Sequence, residues 1–276
     1  MPIKIIDDTV ITLNLKIFIV KKNKIPLYKL FPSIITILAL CMGMTAIKCA
    51  FENQFEMAVI MVLIACFMDG IDGPSARFLK SASDFGAQLD SLCDLVNFGV
   101  TPAIILYHWQ LKELNGFGWV AVLIYTSCTA LRLARYNVED MINNAKSIKK
   151  PPYFNGISSP CAAILALTPL MSTFQVLEND FFNSFILSIF TLWIALMMVS
   201  RIPTISTKGF KIKRKNVPFI MAILAIVISA IFLMPWKTIP IFSVLYILSI
   251  PITWFHYVKR PLFKSPILIE EKIIKN

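Results

Sequence analysis

Residues 55–109 read FEMAVIMVLIACFMDGIDGPSARFLKSASDFGAQLDSLCDLVNFGVTPAIILYHW, and the interpretation of the whole chain begins with them. Two apolar runs, Phe55–Gly70 and Gln88–Trp109, flank a polar segment that is rich in aspartate. Apolar runs of about 20 residues are typical of helices that cross a bilayer. The first run is slightly short and ends in acidic residues, so we expect its helix to continue into a polar site at the membrane edge.

The rest of the chain repeats this apolar pattern. Of 276 residues, 57% are hydrophobic and 16% are charged, against about 45–50% and about 25% in soluble domains. We therefore predict an all-α, polytopic membrane protein with about eight transmembrane helices. The predicted spans are Phe31–Phe51, Phe55–Gly70, Gln88–Trp109, Phe117–Tyr136, Gly156–Phe174, Phe181–Ser200, Val217–Trp236 and Ile239–Val258.

Basic residues predict the orientation of these spans. Of 27 Lys and Arg, 24 lie in segments expected on one side, and only Lys48, Lys112 and Lys237 lie on the other. The positive-inside rule then places both termini and the aspartate-rich edge in the cytoplasm. The basic segments are 1–30, 71–87, 132–152, 201–216 and 259–276.

Three regions follow from this topology. We expect a cytoplasmic or interfacial N-terminal segment at 1–30, a membrane domain at 31–258 and a cytoplasmic tail at 259–276. The net charge of +11 is dispersed over the loops, which indicates topology and attraction to anionic lipids rather than nucleic-acid binding. The six cysteines lie in or beside apolar spans without a CxxC pair, so neither a disulfide framework nor a zinc site is expected.

Four aspartates stand out at the junction of the second and third spans. Asp69 and Asp72 are three residues apart, and Asp90 and Asp94 are four apart, so each pair shares one face of a helix. Antiparallel neighbouring helices would bring all four to the same depth. Acids at a membrane edge indicate function, and four together would repel one another unless cations neutralise them.

Oxygen ligands without His or Cys favour hard cations such as Mg²⁺ or Mn²⁺. We expect two ions, because paired metals about 3.5–4 Å apart stabilise both the attacking and the leaving oxygen in phosphoryl displacement. Arg77 would supply a further cation for phosphate. The small residues Gly73, Ala76 and Gly86 would allow a substrate to approach the helices closely, although helix packing explains them almost as well.

The whole array, D-x-x-D-G-x-x-A-R-x8-G-x3-D-x3-D, resembles the signature of the CDP-alcohol phosphatidyltransferases. The matching positions are Asp69, Asp72, Gly73, Ala76, Arg77, Gly86, Asp90 and Asp94. Pro74 falls at a variable position of the signature. Because proline lacks an N–H and disfavours a helical residue before it, we expect the helix to kink or end there.

The resemblance implies a chemistry for these residues. Asp69, Asp72 and Asp90 would hold the metals that bind the pyrophosphate of a CDP-lipid, with Gly73, Ala76, Arg77 and Gly86 lining the same site. Asp94 would act as general base and share a metal, and CMP would leave. The family also implies a homodimer, and we place the protein in a bacterial inner membrane.

The acceptor alcohol is indicated by further segments. These resemble the membrane-embedded phosphatidylserine synthases, which implies CDP-diacylglycerol and L-serine as substrates. Serine needs a cation for its carboxylate and an acceptor for its ammonium, and Arg132, Arg135 and Asn97 are the candidates. The two arginines are explained nearly as well as topology anchors. The segments are 91–102, 131–137, 155–160 and 200–203.

Two alternatives stay open at this point. The acceptor could be glycerol phosphate or inositol phosphate, although a phosphorylated alcohol would need phosphate-binding cations beyond Arg77. From another class, the aspartates could form the ion path of a cation transporter. Transporters usually place such sites near the membrane midplane between repeats, whereas these acids lie at one edge and the sequence shows no internal repeat.

Overall fold

The computed structural model describes residues 30–78, 84–145, 154–175, 183–200, 203–204 and 217–258. Within these ranges the chain is helical apart from one short two-stranded ladder, as the sequence predicts. The N-terminal segment up to residue 29 and the tail after residue 258 lie outside the described residues. The helices are α1 (Phe31–Phe51), α2 (Phe55–Phe78), α3 (Asp84–Asp94), α4 (Thr101–Trp109), α5 (Gly116–Ala145), α6 (Ser159–Thr173), α7 (Ser184–Val199), α8 (Val217–Leu233) and α9 (Pro235–Val258).

Three described helices are long and apolar enough to cross a membrane by length and composition. These are Phe31–Phe51, Phe85–Trp109 and Gly116–Ile142. The helices α6, α7 and α8 are apolar but shorter; the 15 residues of α6 span about 23 Å at 1.5 Å per residue, less than the roughly 30 Å hydrocarbon core. The protein is therefore a helical membrane protein, and the number of eight spans stays a prediction.

The helix starts follow ordinary capping chemistry. Pro32 and Pro160 stand in the first turns of α1 and α6, where a missing N–H costs nothing because the first N–H groups of a helix have no partner within it. Asn183 precedes α7, and its Oδ1 accepts a hydrogen bond from the Phe185 N–H at 3.2 Å. The starts of these helices are thus consistent with the hydrogen bonding of the backbone N–H groups in their first turns.

Pro74 does not end its helix. One continuous helix, α2, runs from Phe55 through Pro74 to Phe78, so the expected end at this proline is wrong. Proline removes the hydrogen bond to the carbonyl of Gly70, four residues earlier. Gly70 is exposed, so water can satisfy that carbonyl, and a glycine offers no Cβ to crowd the proline ring.

Helix α1 supports the part of the fold that carries the aspartates. It packs along α2 and also contacts α3, α4 and the segment between them. Helices α6 and α7 bury much of their length in the core, with α6 packed against α9 and α7 against α5. Helix α8 has no buried residues, so its apolar side chains are available to lipid.

A π-helical segment, Leu95–Val100, separates α3 from α4. The sequence predicts one regular helix here, and the structure shows a change of winding instead. The Thr101 N–H donates to the Val96 carbonyl, five residues earlier. In a regular α-helix Pro102 would have no N–H for the carbonyl of Phe98, and the hydroxyl of Tyr125 on α5 donates to that carbonyl at 3.1 Å. The buried Tyr125 hydroxyl thus links this segment to the neighbouring helix.

Candidate metal centre and the residues around it

The four aspartates predicted from the sequence come together in the structure. Asp69 and Asp72 lie on α2, and Asp90 and Asp94 lie on α3. Potential ligand oxygens of Asp69, Asp72 and Asp90 all lie within 4.8 Å of one another. The carboxylate of Asp94 lies close enough to that of Asp69 for the two to interact electrostatically. We call these four residues the acidic side of the site.

The aspartates differ in their protein partners. Asp72 is only 6% exposed, and its Oδ2 accepts a hydrogen bond from Thr36 Oγ1 on α1 at 2.8 Å. Asp90 Oδ1 is buried and has no hydrogen-bond partner among the described residues. A buried carboxylate oxygen left unpaired is costly, and a cation bound to this oxygen would offset that cost.

The residues present fit a divalent cation. Carboxylate oxygens are the ligands that Mg²⁺ and Mn²⁺ prefer, and the closely spaced, partly buried acids repel one another unless a cation or proton lies between them. Asp69, Asp72 and Asp90 are the three residues that could hold one ion together. Asp94 adjoins this group through Asp69.

The small residues of the motif differ in their surroundings. Gly73 is exposed, and a Cβ added there would meet nothing within 4 Å, which leaves room for a ligand beside the aspartates. Gly86 is half-buried in the first turn of α3. Ala76 and Arg77 fall in the last turn of α2, and their side chains lie outside the described residues.

Arg132 reaches the site from α5. It interacts electrostatically with Asp94, and its Nη1 donates a hydrogen bond to Ser159 Oγ in the first turn of α6. Its Nε is buried and has no hydrogen-bond partner among the described residues. Arg132 therefore has one buried donor that these contacts do not use, and we call Arg132 with Ser159 the arginine side of the site.

Arg135 is engaged elsewhere. Its Nη1 donates to the carbonyl of Val199, the last residue of α7, at 2.8 Å. Its Nε lies 4.0 Å from a carboxylate oxygen of Glu139. A cation at the C-terminus of a helix satisfies carbonyls that have no partner within the helix and complements the helix dipole. The two arginines, one turn apart in sequence, thus have different surroundings.

A tight backbone approach holds Ser159 in place. The strand β1 (Phe154–Asn155) pairs antiparallel with β2 (Pro203–Thr204). Gly156 follows with φ +76°, and a Cβ there would lie 2.6 Å from the Met198 carbonyl oxygen. Only glycine combines this backbone conformation with so close a contact. The start of α6 is therefore fixed against the end of α7, beside Arg132.

Asn97 lies in the π-helical segment, one turn beyond Asp94. It is 2% exposed, and its Oδ1 has no hydrogen-bond partner among the described residues. It packs directly on Gly43 of α1, where a Cβ would lie 2.1 Å from Asn97 Oδ1. Glycine at 43 therefore makes room for the asparagine beneath the acidic side.

Sequence reasoning missed several contacts of the site. Thr36 is one of three hydroxyl residues in the otherwise apolar helix α1, and nothing in its own segment predicts its contact with Asp72. Ser91, next to Asp90, accepts a hydrogen bond from Asn137 Nδ2 on α5 at 2.9 Å. Ser159 lies in the segment 155–160, which resembles the family, but its pairing with Arg132 joins residues 27 positions apart. Only tertiary structure shows these pairings.

The fold and the site define a class: a helical membrane protein with a carboxylate cluster suited to divalent cations and an arginine beside it. Comparison with known proteins is more specific. The family model described as CDP-alcohol phosphatidyltransferase matches residues 29–200. The chain belongs to the CDP-alcohol phosphatidyltransferase family, and the match covers α1 to α7, which include every residue of the acidic and arginine sides.

Curated relatives are named CDP-diacylglycerol–serine O-phosphatidyltransferase. The Mycobacterium tuberculosis protein is 35% identical over 224 residues, which cover 81% of this chain and 77% of that protein. The Helicobacter pylori protein is 30% identical over 242 residues, covering 87% and 97%. The Bacillus subtilis protein is 33% identical over 175 residues, covering 62% and 87%.

Proposed function

We propose that this protein transfers the phosphatidyl group of CDP-diacylglycerol to the hydroxyl of L-serine, giving phosphatidylserine and CMP. The observation that carries the proposal is the convergence of four aspartates beside a buried arginine in a chain of this family. The names of the relatives support serine as the acceptor. The same family membership favours an enzyme over a cation transporter.

The proposed cofactor is Mg²⁺ or Mn²⁺, with two ions at the acidic side. Asp69, Asp72 and Asp90 are the proposed ligands, and Asp94 is shared. When bound, the ions supply positive charge that neutralises the pyrophosphate and stabilises charge on the leaving CMP. Their absence would leave the carboxylates repelling one another and repelling the anionic substrate.

The CDP-lipid is proposed to lie across the ends of α2 and α3. The open space above Gly73 admits its phosphates beside Asp69. The small residues Ala76 and Gly86 are proposed to let the substrate approach the helix backbone closely. Arg77 is proposed to bind a phosphate oxygen. The phosphorus that bears the diacylglycerol oxygen would then lie near Asp94.

Asp94 is the proposed general base. Its carboxylate takes the proton of the serine hydroxyl while that oxygen attacks the phosphorus attached to the lipid. A new P–O bond to serine forms, and the P–O bond to CMP breaks. Arg132 holds a positive charge beside Asp94, which keeps the carboxylate oriented toward the arginine side, where serine is proposed to bind.

The serine pocket is proposed to lie between Asp94 and the arginine side. The Nε of Arg132 has no partner among the residues that the structure describes, and its Nη1 donates to Ser159 at the start of α6, where helix N–H groups favour an anion. The serine carboxylate fits this environment better than one near Arg135, which already donates to Val199. Asn97 is the sequence candidate for the serine ammonium, but its Oδ1 packs on Gly43 of α1, so its side chain would have to turn to reach this pocket.

The proposed setting is a bacterial inner membrane with eight spans, the site at the cytoplasmic edge and both termini in the cytoplasm. The charge asymmetry of the sequence supports this. The division at residues 30 and 258, and a homodimer, are part of the same proposal. Fusion of a reporter to each terminus tests the topology: we expect cytoplasmic signals from both, and a terminus accessible only from outside contradicts it.

The experiment that tests the function is release of CMP from CDP-diacylglycerol by the purified protein in detergent. Serine, glycerol phosphate, inositol phosphate and ethanolamine are supplied in turn. We expect CMP release with serine alone, together with formation of phosphatidylserine. Release with glycerol phosphate or inositol phosphate but not with serine overturns the acceptor and leaves the metal site standing. No release with any alcohol contradicts the proposed enzyme.

A further inference from the structure

Thr36 on α1 contacts the acidic side from a helix outside the aspartate motif. The residue is 5% exposed, and its partner Asp72 is 6% exposed. The distance from Thr36 Oγ1 to Asp72 Oδ2 is 2.8 Å. A hydroxyl that donates to a carboxylate forms a charge-assisted hydrogen bond, which is roughly twice as strong as one between neutral groups. Burial of both groups protects this contact from competing water.

The ordinary explanation for a helical threonine is a hydrogen bond to its own helix. Threonine hydroxyls commonly donate to the carbonyl four residues earlier, and Thr45, Thr168 and Thr191 do so at 2.7, 2.9 and 2.9 Å. Thr36 Oγ1 lies 3.1 Å from the corresponding Pro32 carbonyl, farther than from the carboxylate. Because a hydroxyl has one proton, the shorter and charged acceptor at Asp72 is the favoured one.

This contact fixes one oxygen of a proposed metal ligand. A carboxylate with one oxygen hydrogen-bonded to a rigid neighbour has fewer orientations, and its other oxygen remains available. Helix α1 packs along α2 and also contacts α3, so it is a common support for both helices that carry the aspartates. Partners of this kind orient metal ligands, and their loss typically weakens metal binding by about 10–100-fold.

We propose that Thr36 is a positioning residue that orients Asp72 for binding of a divalent cation. The inference rests on the proposed function, because it requires the acidic side to hold a metal. It assigns a role in the metal site to α1, a helix that lies outside the aspartate motif. It also predicts that the hydroxyl matters and the methyl group does not, so serine should replace threonine and valine should not.

The test measures Mn²⁺ binding without substrate, by the loss of the free-ion electron paramagnetic resonance signal on titration of the full-length protein in detergent. We expect Thr36→Val to raise the Mn²⁺ dissociation constant about tenfold or more. Thr36→Ser should stay within about twofold of the wild type. Thr45→Val is the matched control, because Thr45 lies on the same helix and donates to Cys41; its Mn²⁺ affinity should be unchanged.

Two further variants keep the test decisive. If Thr36→Val does not fold, Thr36→Ala is compared with Thr36→Ser, and the alanine variant should bind Mn²⁺ about tenfold more weakly. Asp72→Ala should lose most of the Mn²⁺ affinity. Wild-type affinity in Thr36→Val, or equal weakening by serine and valine, overturns the role of Thr36 while the metal site stands. If the wild type binds no Mn²⁺, the proposed metal site and this inference fail together.

Discussion

The acidic side and the arginine side meet at Asp94 and Arg132, but the charged groups on the two sides differ in their hydrogen-bond partners. On the acidic side, Asp72 accepts a hydrogen bond from Thr36, and Asp90 Oδ1 has no partner in the part of the chain that the structure describes. Near the arginine side, Arg135 donates to the end of α7, and Arg132 donates to Ser159. Both arginines therefore bond to other parts of the fold, whereas the acidic side has a charged oxygen without such a partner. Substitutions on the two sides should therefore differ in size and in kind.

The largest effect is expected from removing metal or a metal ligand. Asp90→Asn removes a negative charge and a proposed ligand oxygen from the acidic side. Its loss of turnover should exceed the about 10²–10⁴-fold that loss of a general base costs, because the anionic substrate then lacks its counter-charge. The measurement is CMP release with serine, after chelation and after readdition of Mg²⁺ or Mn²⁺.

The wild type should lose activity on chelation and recover it on readdition, whereas Asp90→Asn should stay inactive. Glu56→Gln is the matched control, since Glu56 is an exposed acid in the first turn of α2. It should behave as the wild type. Full activity of the chelated wild-type protein would contradict the metal requirement.

A smaller loss is expected at the boundary of the two sides. Asp94→Asn keeps the size of the side chain but removes its basicity, so turnover should fall by about 10²–10⁴-fold. Binding of CDP-diacylglycerol should persist, because Asp69, Asp72 and Asp90 remain. The measurement separates kcat from KM for both substrates. A loss confined to lipid affinity, with normal turnover at saturation, would show that Asp94 is not the base.

On the arginine side, Arg132→Lys should act on serine rather than on the lipid. Lysine keeps the charge but lacks the fork that matches a carboxylate. Losing a charged hydrogen bond costs about 1.5–3 kcal/mol, so the KM for serine should rise roughly tenfold or more. The KM for CDP-diacylglycerol should be nearly unchanged. An unaltered serine KM would place the carboxylate pocket elsewhere.

The smallest effect is expected from the matched change Arg135→Lys. Arg135 donates to the Val199 carbonyl, so its replacement should lower the free energy of unfolding by about 1 kcal/mol and leave the serine KM within about twofold. Thermal unfolding in detergent and serine kinetics check the two parts. If Arg135→Lys raises the serine KM as much as Arg132→Lys, the two arginines act as one site.

The acidic side could be predicted from the sequence because its geometry is local. Spacings of three and four residues place Asp69 with Asp72 and Asp90 with Asp94, and two neighbouring helices bring the pairs together. The helix positions also followed from the apolar runs. The roles of these residues in catalysis remain predictions.

The arginine side and the role of α1 could not be predicted in the same way. Whether Arg132 or Arg135 faces Asp94 depends on how α5 is rotated about its axis relative to the neighbouring helices. The sequence of α5 alone does not define that rotation. The contact of Thr36 with Asp72 joins residues 36 positions apart. Pro74 locally predicts a helix end. The helix continues because the carbonyl of the exposed Gly70 can bond to water and because Gly70 has no Cβ to crowd the proline ring.

The π-helical segment Leu95–Val100 changes which faces of α3 and α4 are aligned within the third predicted span. A π-helical turn accommodates about one residue more than an α-helical turn, and one residue corresponds to about 100° of rotation. The angular register of α4 is therefore offset from that of α3. Asp90 and Asp94 can face the proposed metal site while Ile105 and Leu106 of α4 remain fully buried in the apolar core. Deleting one residue from this segment would rotate α4 by about 100° relative to α3. The extra residue of the π-helical turn therefore sets which face of α4 packs in the core when the aspartates of α3 face the acidic side.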